Sequence, residues 1–176
     1  MIDSLITSKT RIKLLVKFFL NPNNMAYLRE LESEFGESSN AIRLELNRLE
    51  EAQMLEAKMN GKKKIFKVNQ AHPLYSEINS IVRKYFGLDV IVESVIDKLG
   101  EVEAIYLTGE LAKGRNTGII DLIFLGEINR QYLSKATEKV EELIKRKIRY
   151  LVYEQHEWES CAERESSVLL WKGSVK

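Results

Sequence analysis

Residues 54–69 read MLEAKMNGKKKIFKVN, with Asn60-Gly61 set between two strand-like runs. Asn-Gly is the strongest short-range signal for a two-residue hairpin, because both residues tolerate the positive φ that such turns demand. The chain is therefore expected to double back here, with Met54 to Met59 leading in and Ile65, Phe66 and Val68 returning. The fifty residues before it carry helical periodicity instead. A hairpin fed directly by helices excludes both an all-helical bundle and an all-β sandwich.

Three helices are expected ahead of the hairpin. Ser8 and Thr10 can cap the first, which runs to about Leu20 with Ile12, Leu15 and Phe19 on one face. Asn21-Pro22-Asn23-Asn24 is a turn, and a second helix follows with Leu28, Leu31 and Phe35 at i, i+3 and i+7. Gly36 ends that helix as a left-handed cap. Glu37-Ser38-Ser39 starts a third, which runs to about Ala52 and buries Ile42, Leu46 and Leu49. Two helices joined by a tight turn containing Gly form a helix-turn-helix.

That order of helix, helix-turn-helix and basic hairpin resembles the winged-helix DNA-binding domains of bacterial and archaeal repressors, over roughly residues 5–70. The resemblance implies that the start of the third helix enters the major groove of double-stranded DNA. Ser38, Ser39, Asn40, Arg43 and Asn47 stand there. Asn and Arg side chains can make paired hydrogen bonds to adenine and guanine edges. Lys62, Lys63 and Lys64 at the hairpin tip would meet phosphates, which position a protein without reading sequence. Competing readings of the same residues are ordinary. Arg43 and Arg48 lie near Glu45, Glu50 and Glu51 and can form helix-face ion pairs, a Lys triplet can be merely solvated, and the acids at 30, 32 and 34 oppose a simple basic face. Gln53 stands where such domains often place Gly after the recognition helix.

Charge supports this reading only mildly. Residues 1–70 hold 12 Lys and Arg against 9 Asp and Glu, whereas the whole chain of 176 residues has a net charge of +1. No apolar run approaches the roughly 20 residues of a membrane span, so no membrane partner is expected. The N-terminal stretch has an acid at position 3 and no small-residue cleavage site, and Cys161 is the sole cysteine. Both features fit a cytoplasmic protein. His72 and His156 have no ligand spacing, so neither a metal nor a cofactor is expected.

After the hairpin, Ala71-His72-Pro73 opens a new helix, with Pro73 at its first position and an apolar stripe of Leu74, Ile78, Ile81, Val82 and Tyr85 running to Phe86-Gly87. Two readings stand side by side: a connector packed on its own chain, or a helix that pairs two chains into a homodimer. A helix from about Asp89 to Leu99 follows, buried through Val92, Val95, Ile96 and Leu99, with Gly100 at its end. Strand, Gly turn and strand then span 102–125, a helix covers about Asn129 to Lys145, and a strand covers Ile148 to Glu154. In the tail, Trp158 and Trp171 read as packing residues and Cys161 as a buried, inert thiol.

The stretch YLTGELAKGRNTGIIDLIFLG, residues 106–126, resembles the core of a minimal nucleotidyltransferase domain of the polymerase-β type. That family carries Gly-Ser, then Ala-Arg-Gly, then Ser-Asp-x-Asp in an apolar strand. Gly109-Glu110, Ala112-Lys113-Gly114 and Gly118-Ile119-Ile120-Asp121 occupy those places. The whole chain is similar to prokaryotic regulators that join a winged helix to such a domain. Departures from the pattern concern its chemistry. Nucleotidyl transfer needs divalent metal held by clustered carboxylates. Ile119 replaces the first acid, Glu110 replaces the small Ser, and Lys147 or Arg149 falls where a third acid belongs. The expected pocket of Gly109, Glu110, Lys113, Gly114 and Asp121 thus keeps its shape without catalytic residues, and Asp121 is expected to pair with Lys113, Lys147 or Arg149. An active nucleotidyltransferase using Asp121 and Glu154, and an antitoxin-like protein whose degenerate domain holds a toxin partner, are the alternatives. The resulting expectation is an α+β chain in three parts: a winged-helix DNA-binding domain (1–70), connecting or dimerisation helices (71–100), and a nucleotidyltransferase-like domain (101–176) used for sensing, dimerisation or protein-partner binding.

Overall fold

The computed structural model describes residues 2–96 and 98–173. The fold is α+β and divides into two compact units, Met1–Tyr85 and Phe86–Lys176. The segment 71–100, expected as one separate connection, is shared between them.

The first unit begins with α1 (Ile2–Leu5) and α2 (Lys9–Phe19). The Ser8 hydroxyl caps α2 by accepting from the Arg11 amide. Thr10 is not a cap; it is buried and its hydroxyl donates to the Glu37 carboxylate. A short strand absent from the sequence reading, β1 (Met25–Tyr27), leads directly into α3 (Leu28–Phe35). Gly36 closes α3 at φ 64°, as expected of a left-handed cap. α4 (Ser39–Glu51) follows after the three-residue turn Gly36-Glu37-Ser38, with the Ser38 hydroxyl accepting from the Ala41 amide. Ile42, Leu46 and Leu49 face inward from α4, onto a core that includes Leu14, Phe18 and Leu31.

The hairpin forms as β2 (Leu55–Asn60) and β3 (Lys63–Val68). β3 is central in an antiparallel sheet of order β1-β3-β2. Asn60 pairs with Lys63, so the two turn residues are Gly61 and Lys62, one step later than Asn60-Gly61. Only Lys62 of the three lysines is at the tip; Lys63 and Lys64 are in the strand, on opposite faces.

α5 (Tyr75–Phe86) starts two residues after Pro73, because the His72 carbonyl still accepts from the Tyr75 amide in a turn. Its inward face is Tyr75, Asn79 and Val82. Tyr75 stacks on Phe19 at 6.0 Å, and the Asn79 amide donates to the Phe19 carbonyl at 2.6 Å. Val82, expected on the same stripe as Ile81, is fully buried, whereas Ile81 is 47% exposed.

The second unit comprises α6 (Leu88–Ile96), β4 (Gly100–Thr108), α7 (Gly109–Ala112), β5 (Ile119–Ile128), α8 (Arg130–Ile144), β6 (Lys147–Tyr153), α9 (Gln155–Glu159), a 3-10 turn (Ala162–Ser166) and β7 (Val168–Lys172). Its sheet has the order β6-β5-β4-β7. β5 and β6 are parallel, joined by α8 as a crossover, while β4 pairs antiparallel with both β5 and β7. Leu88, Ile91, Val92, Val95 and Leu99 are buried near the start of the unit, and Ile96 is only half-buried. Trp158 packs against Ala104, Ile123 and Leu125, with its ring 4.8 Å from that of Tyr106. Cys161 is half-buried at the edge of this cluster rather than fully buried. Among the described residues no helix is long and apolar enough to cross a membrane.

Candidate nucleic-acid interface and the Asp121 site

Helical spacing sorts α4 into two faces. Ile42, Glu45, Leu46 and Leu49 turn inward. Asn40, Arg43, Leu44 and Asn47 form one exposed stripe at i, i+3, i+4 and i+7. Ser39 is half-buried, and Ser38 is occupied by its capping bond. The α4 side chains named from sequence therefore converge on one surface through Asn40, Arg43 and Asn47, with the serines at its N-terminal end.

The buried Glu45 accounts for two cations that compete for this helix. It accepts from Arg11 Nε at 2.8 Å, from the Ser8 hydroxyl at 3.0 Å and from Arg48 at 3.3 Å. Burial alone would raise its pKa, but the hydrogen bonds from Arg11 and Ser8 outweigh burial and hold the carboxyl below its usual range. Arg48 is thus an ordinary helix-face ion pair, as one reading expected. Arg43 is different: among the described residues no carboxylate lies within ion-pair distance of it.

Two of the three acids of α3, Glu30 and Glu34, are also committed. Glu30 accepts from the Tyr27 amide at 2.9 Å, at the start of the helix, where a negative charge is favourable. Glu34 takes the buried Lys17 ammonium at 2.8 Å. Four cations without an ion pair among the described residues, Arg29, Arg43, Lys62 and Lys63, line a groove of about 530 Å³ between α3, α4 and the hairpin, together with Asn47, Tyr27 and the acid Glu30. Arg29 was missed in the sequence reading; its placement needs the packing of α3 on α4 and β1, which no local pattern gives.

The lysines of the hairpin divide in function. Lys64 is held by Glu50 at 2.6 Å and lies over the Phe66 ring. Lys63 lies 5.9 Å from the Tyr27 ring centre, and the Tyr27 hydroxyl accepts from the Asn60 side chain at 2.6 Å. Tyr27 thereby ties the hairpin tip to the base of α3.

In the second unit, Asp121 and Arg149 are register partners on β5 and β6. Arg149 grips the carboxylate with both arms, Nε to Oδ1 at 2.6 Å and Nη2 to Oδ2 at 3.0 Å. Such a fork is the strong geometry for Arg and carboxylate, and it raises the Arg149 pKa. Of the three cations named as partners, Arg149 is the one that meets Asp121. Lys147 instead binds Glu141 at 2.8 Å, and Lys113 binds Glu110 at 3.3 Å. Glu110 also accepts from Arg115 at 2.9 Å, and that bond is the main reason its pKa is lowered.

Gly109 is required where it stands. Its φ is 66°, and a Cβ there would lie 2.2 Å from Asp121 Oδ2. Gly114, at φ 83°, closes the α7 turn by donating to the Leu111 carbonyl. Ile119 precedes Asp121 by two residues on β5 and so shares its face, where a second metal-binding acid would stand. A pocket of about 310 Å³ lies beside Thr108, Gly109, Asp121 and Arg149, and Glu163 from the 3-10 turn also lines it. Glu154 does not join it. Tyr153 pairs with Leu125, which places Glu154 beyond the far end of the ladder, more than roughly 13 Å along the strands from Asp121. Glu154 caps α9 there, beside His156.

No protein-family model and no curated protein matches this sequence. Among solved structures, reduced HlyU from Vibrio cholerae N16961 aligns with a TM-score of 0.38 at 15% identity, over 49% of this chain and 83% of its own. AF1382 from Archaeoglobus fulgidus aligns with a TM-score of 0.38 at 18% identity, over 53% of this chain and 98% of its own.

Proposed function

We propose that this protein is a DNA-binding transcriptional regulator. In this reading α4 enters the major groove of double-stranded DNA and the β2–β3 hairpin lies along the backbone as a wing. The observation that carries it is the coincidence of two features on one surface. The exposed stripe of α4 holds Asn40, Arg43 and Asn47, and the cations without carboxylate partners adjoin it. Side chains able to read bases thus stand beside charges able to hold phosphates. Ser38 and Ser39 would present α4's N-terminus to the same backbone. Two chains paired through α5 would set two such helices about 34 Å apart, one turn of DNA, and require a palindromic site.

The second unit fits a nucleotidyltransferase-like domain that has lost its chemistry and serves sensing, dimerisation or partner binding. Supporting this are the Arg149 fork on Asp121, the apolar Ile119 beside it, and the distance of Glu154. A metal would have to displace a guanidinium to reach Asp121, with Glu163 as the other carboxylate lining the pocket.

The test is selection of bound fragments from random or genomic DNA by the purified chain, followed by affinity measurement on the selected site. Asn40→Ala or Arg43→Ala should cost about 1–3 kcal/mol on that site and relax specificity at one position. An equal loss on selected and random DNA would remove these residues from base reading. Failure to enrich any sequence would remove the regulator.

A further inference from the structure

Leu44 is 52% exposed and stands within the stripe that Asn40, Arg43 and Asn47 form on α4. A single exposed Leu on a protein surface needs no explanation. This one has an uncommon setting. Its neighbours one turn away are the polar Asn40, Asn47 and Arg48 and the small, half-buried Ala41, so no second large apolar side chain adjoins it along the helix to make a patch that a protein partner could cover. The nearby groove carries Arg29, Arg43, Lys62 and Lys63 against Glu30, an excess of cations that complements a polyanion.

The major groove offers such a side chain one apolar feature: the C5-methyl group of thymine. A hydrogen-bonding residue reads donors and acceptors; an isolated Leu cannot, but it can bury a methyl. Resting on the DNA-binding reading above, we propose that Leu44 is a specificity-determining residue that recognises a thymine methyl between the bases faced by Asn40 and Asn47. Adenine, guanine and unmodified cytosine at that position leave Leu44 against polar edges or a void, so the preference is for thymine over all three. Cytosine methylated at C5 presents the same group and would substitute for thymine there.

The experiment uses the full chain and its selected DNA site. Each thymine is replaced in turn by deoxyuridine, which removes the methyl and leaves every hydrogen-bonding group in place. One position per half-site should lose about fourfold in affinity, the value of one buried methyl group. Leu44→Ala should bind the thymine and uracil forms of that position equally, while keeping its sensitivity to Arg43→Ala. Because Leu44 lies outside the core, the variant should also keep the parent's thermal midpoint. Three results overturn the proposal: no thymine sensitive to loss of its methyl, a selected site without thymine under α4, or the same uracil penalty in Leu44→Ala as in the parent. Each of these leaves sequence-specific binding by the parent chain intact, so each is distinct from a chain that selects no DNA at all, which removes both.

Discussion

At the level of single residues, the end of α4 carries a strained position. Gln53 has φ 58°, in the left-handed region. The hydrogen bonds around it form a complete Schellman closure, with the Met54 amide donating to the Leu49 carbonyl and the Gln53 amide to the Glu50 carbonyl. Gln is therefore doing what Gly does at such caps, against a steric cost of about 1–2 kcal/mol. The Gln53 backbone carbonyl accepts from Asn69, and a glycine would keep that bond. Gln53→Gly should stabilise the first unit by about 0.5–1 kcal/mol after the extra chain entropy of Gly is subtracted. Gln53→Ala, which still carries a Cβ, should give no comparable gain. Denaturant melts followed at a first-unit probe separate the two outcomes, and equal stability of the Gly and Ala variants would count against a strained cap. The sequence raised Gln53 as a departure from pattern, but it could not show whether the chain avoids the left-handed turn or accepts it.

At the level of elements, α5 shows where periodicity succeeds and where it stops. Its apolar positions were legible, but not their division into two faces. Tyr75, Asn79 and Val82 pack inward, whereas Leu74 and Ile81 remain 49% and 47% exposed, with Ile78 half-buried between them. Positions 74, 78 and 81 repeat at alternating steps of four and three, the spacing of a seam between paired helices. The proposed homodimer would use this outer seam. Ile81→Glu should leave the fold intact and convert a dimer to a monomer, read by light scattering at micromolar concentration together with circular dichroism. Val82→Glu is a different experiment, because a charge at a fully buried site unfolds the unit instead. A parent chain that is monomeric at high concentration would exclude the seam as a dimer contact. Other elements follow the same rule. Gly36, the Ile42-Leu46-Leu49 face and the hairpin were legible because local sterics and periodicity decide them. β1 was not: three residues, Met25-Ala26-Tyr27, carry no period, and pairing with β3 across some forty residues makes them a strand.

At the level of the whole molecule, counting cations in sequence misstates the charge available to a polyanion. Lys64 is adjacent to Lys63 in the chain, yet the first is neutralised by Glu50 and the second is not. Lys13, Lys17, Lys67, Arg11 and Arg48 are likewise paired with Glu37, Glu34, Glu56 and Glu45. Apart from Arg48 with its helix neighbour Glu45, these pairings join residues more than ten positions apart, so a net charge by halves could not reveal them. Bringing Arg29, Lys62 and Lys63 to phosphates would release counterions in proportion to the contacts made. With Arg43 committed to a base, three contacts per chain predict that log K falls against log salt with a slope of about −3 for one bound chain and about −5 for two. Lys62→Gln should make the slope shallower by about 1 per chain. Removing Lys64 alone would leave Glu50 as a free negative charge, so the informative variant is Lys64→Gln combined with Glu50→Gln. That pair of changes is charge-neutral and should leave the slope where it was. If the double variant flattens the slope as much as Lys62→Gln does, Lys64 leaves Glu50 for a phosphate on binding, and all three lysines belong to the backbone contact.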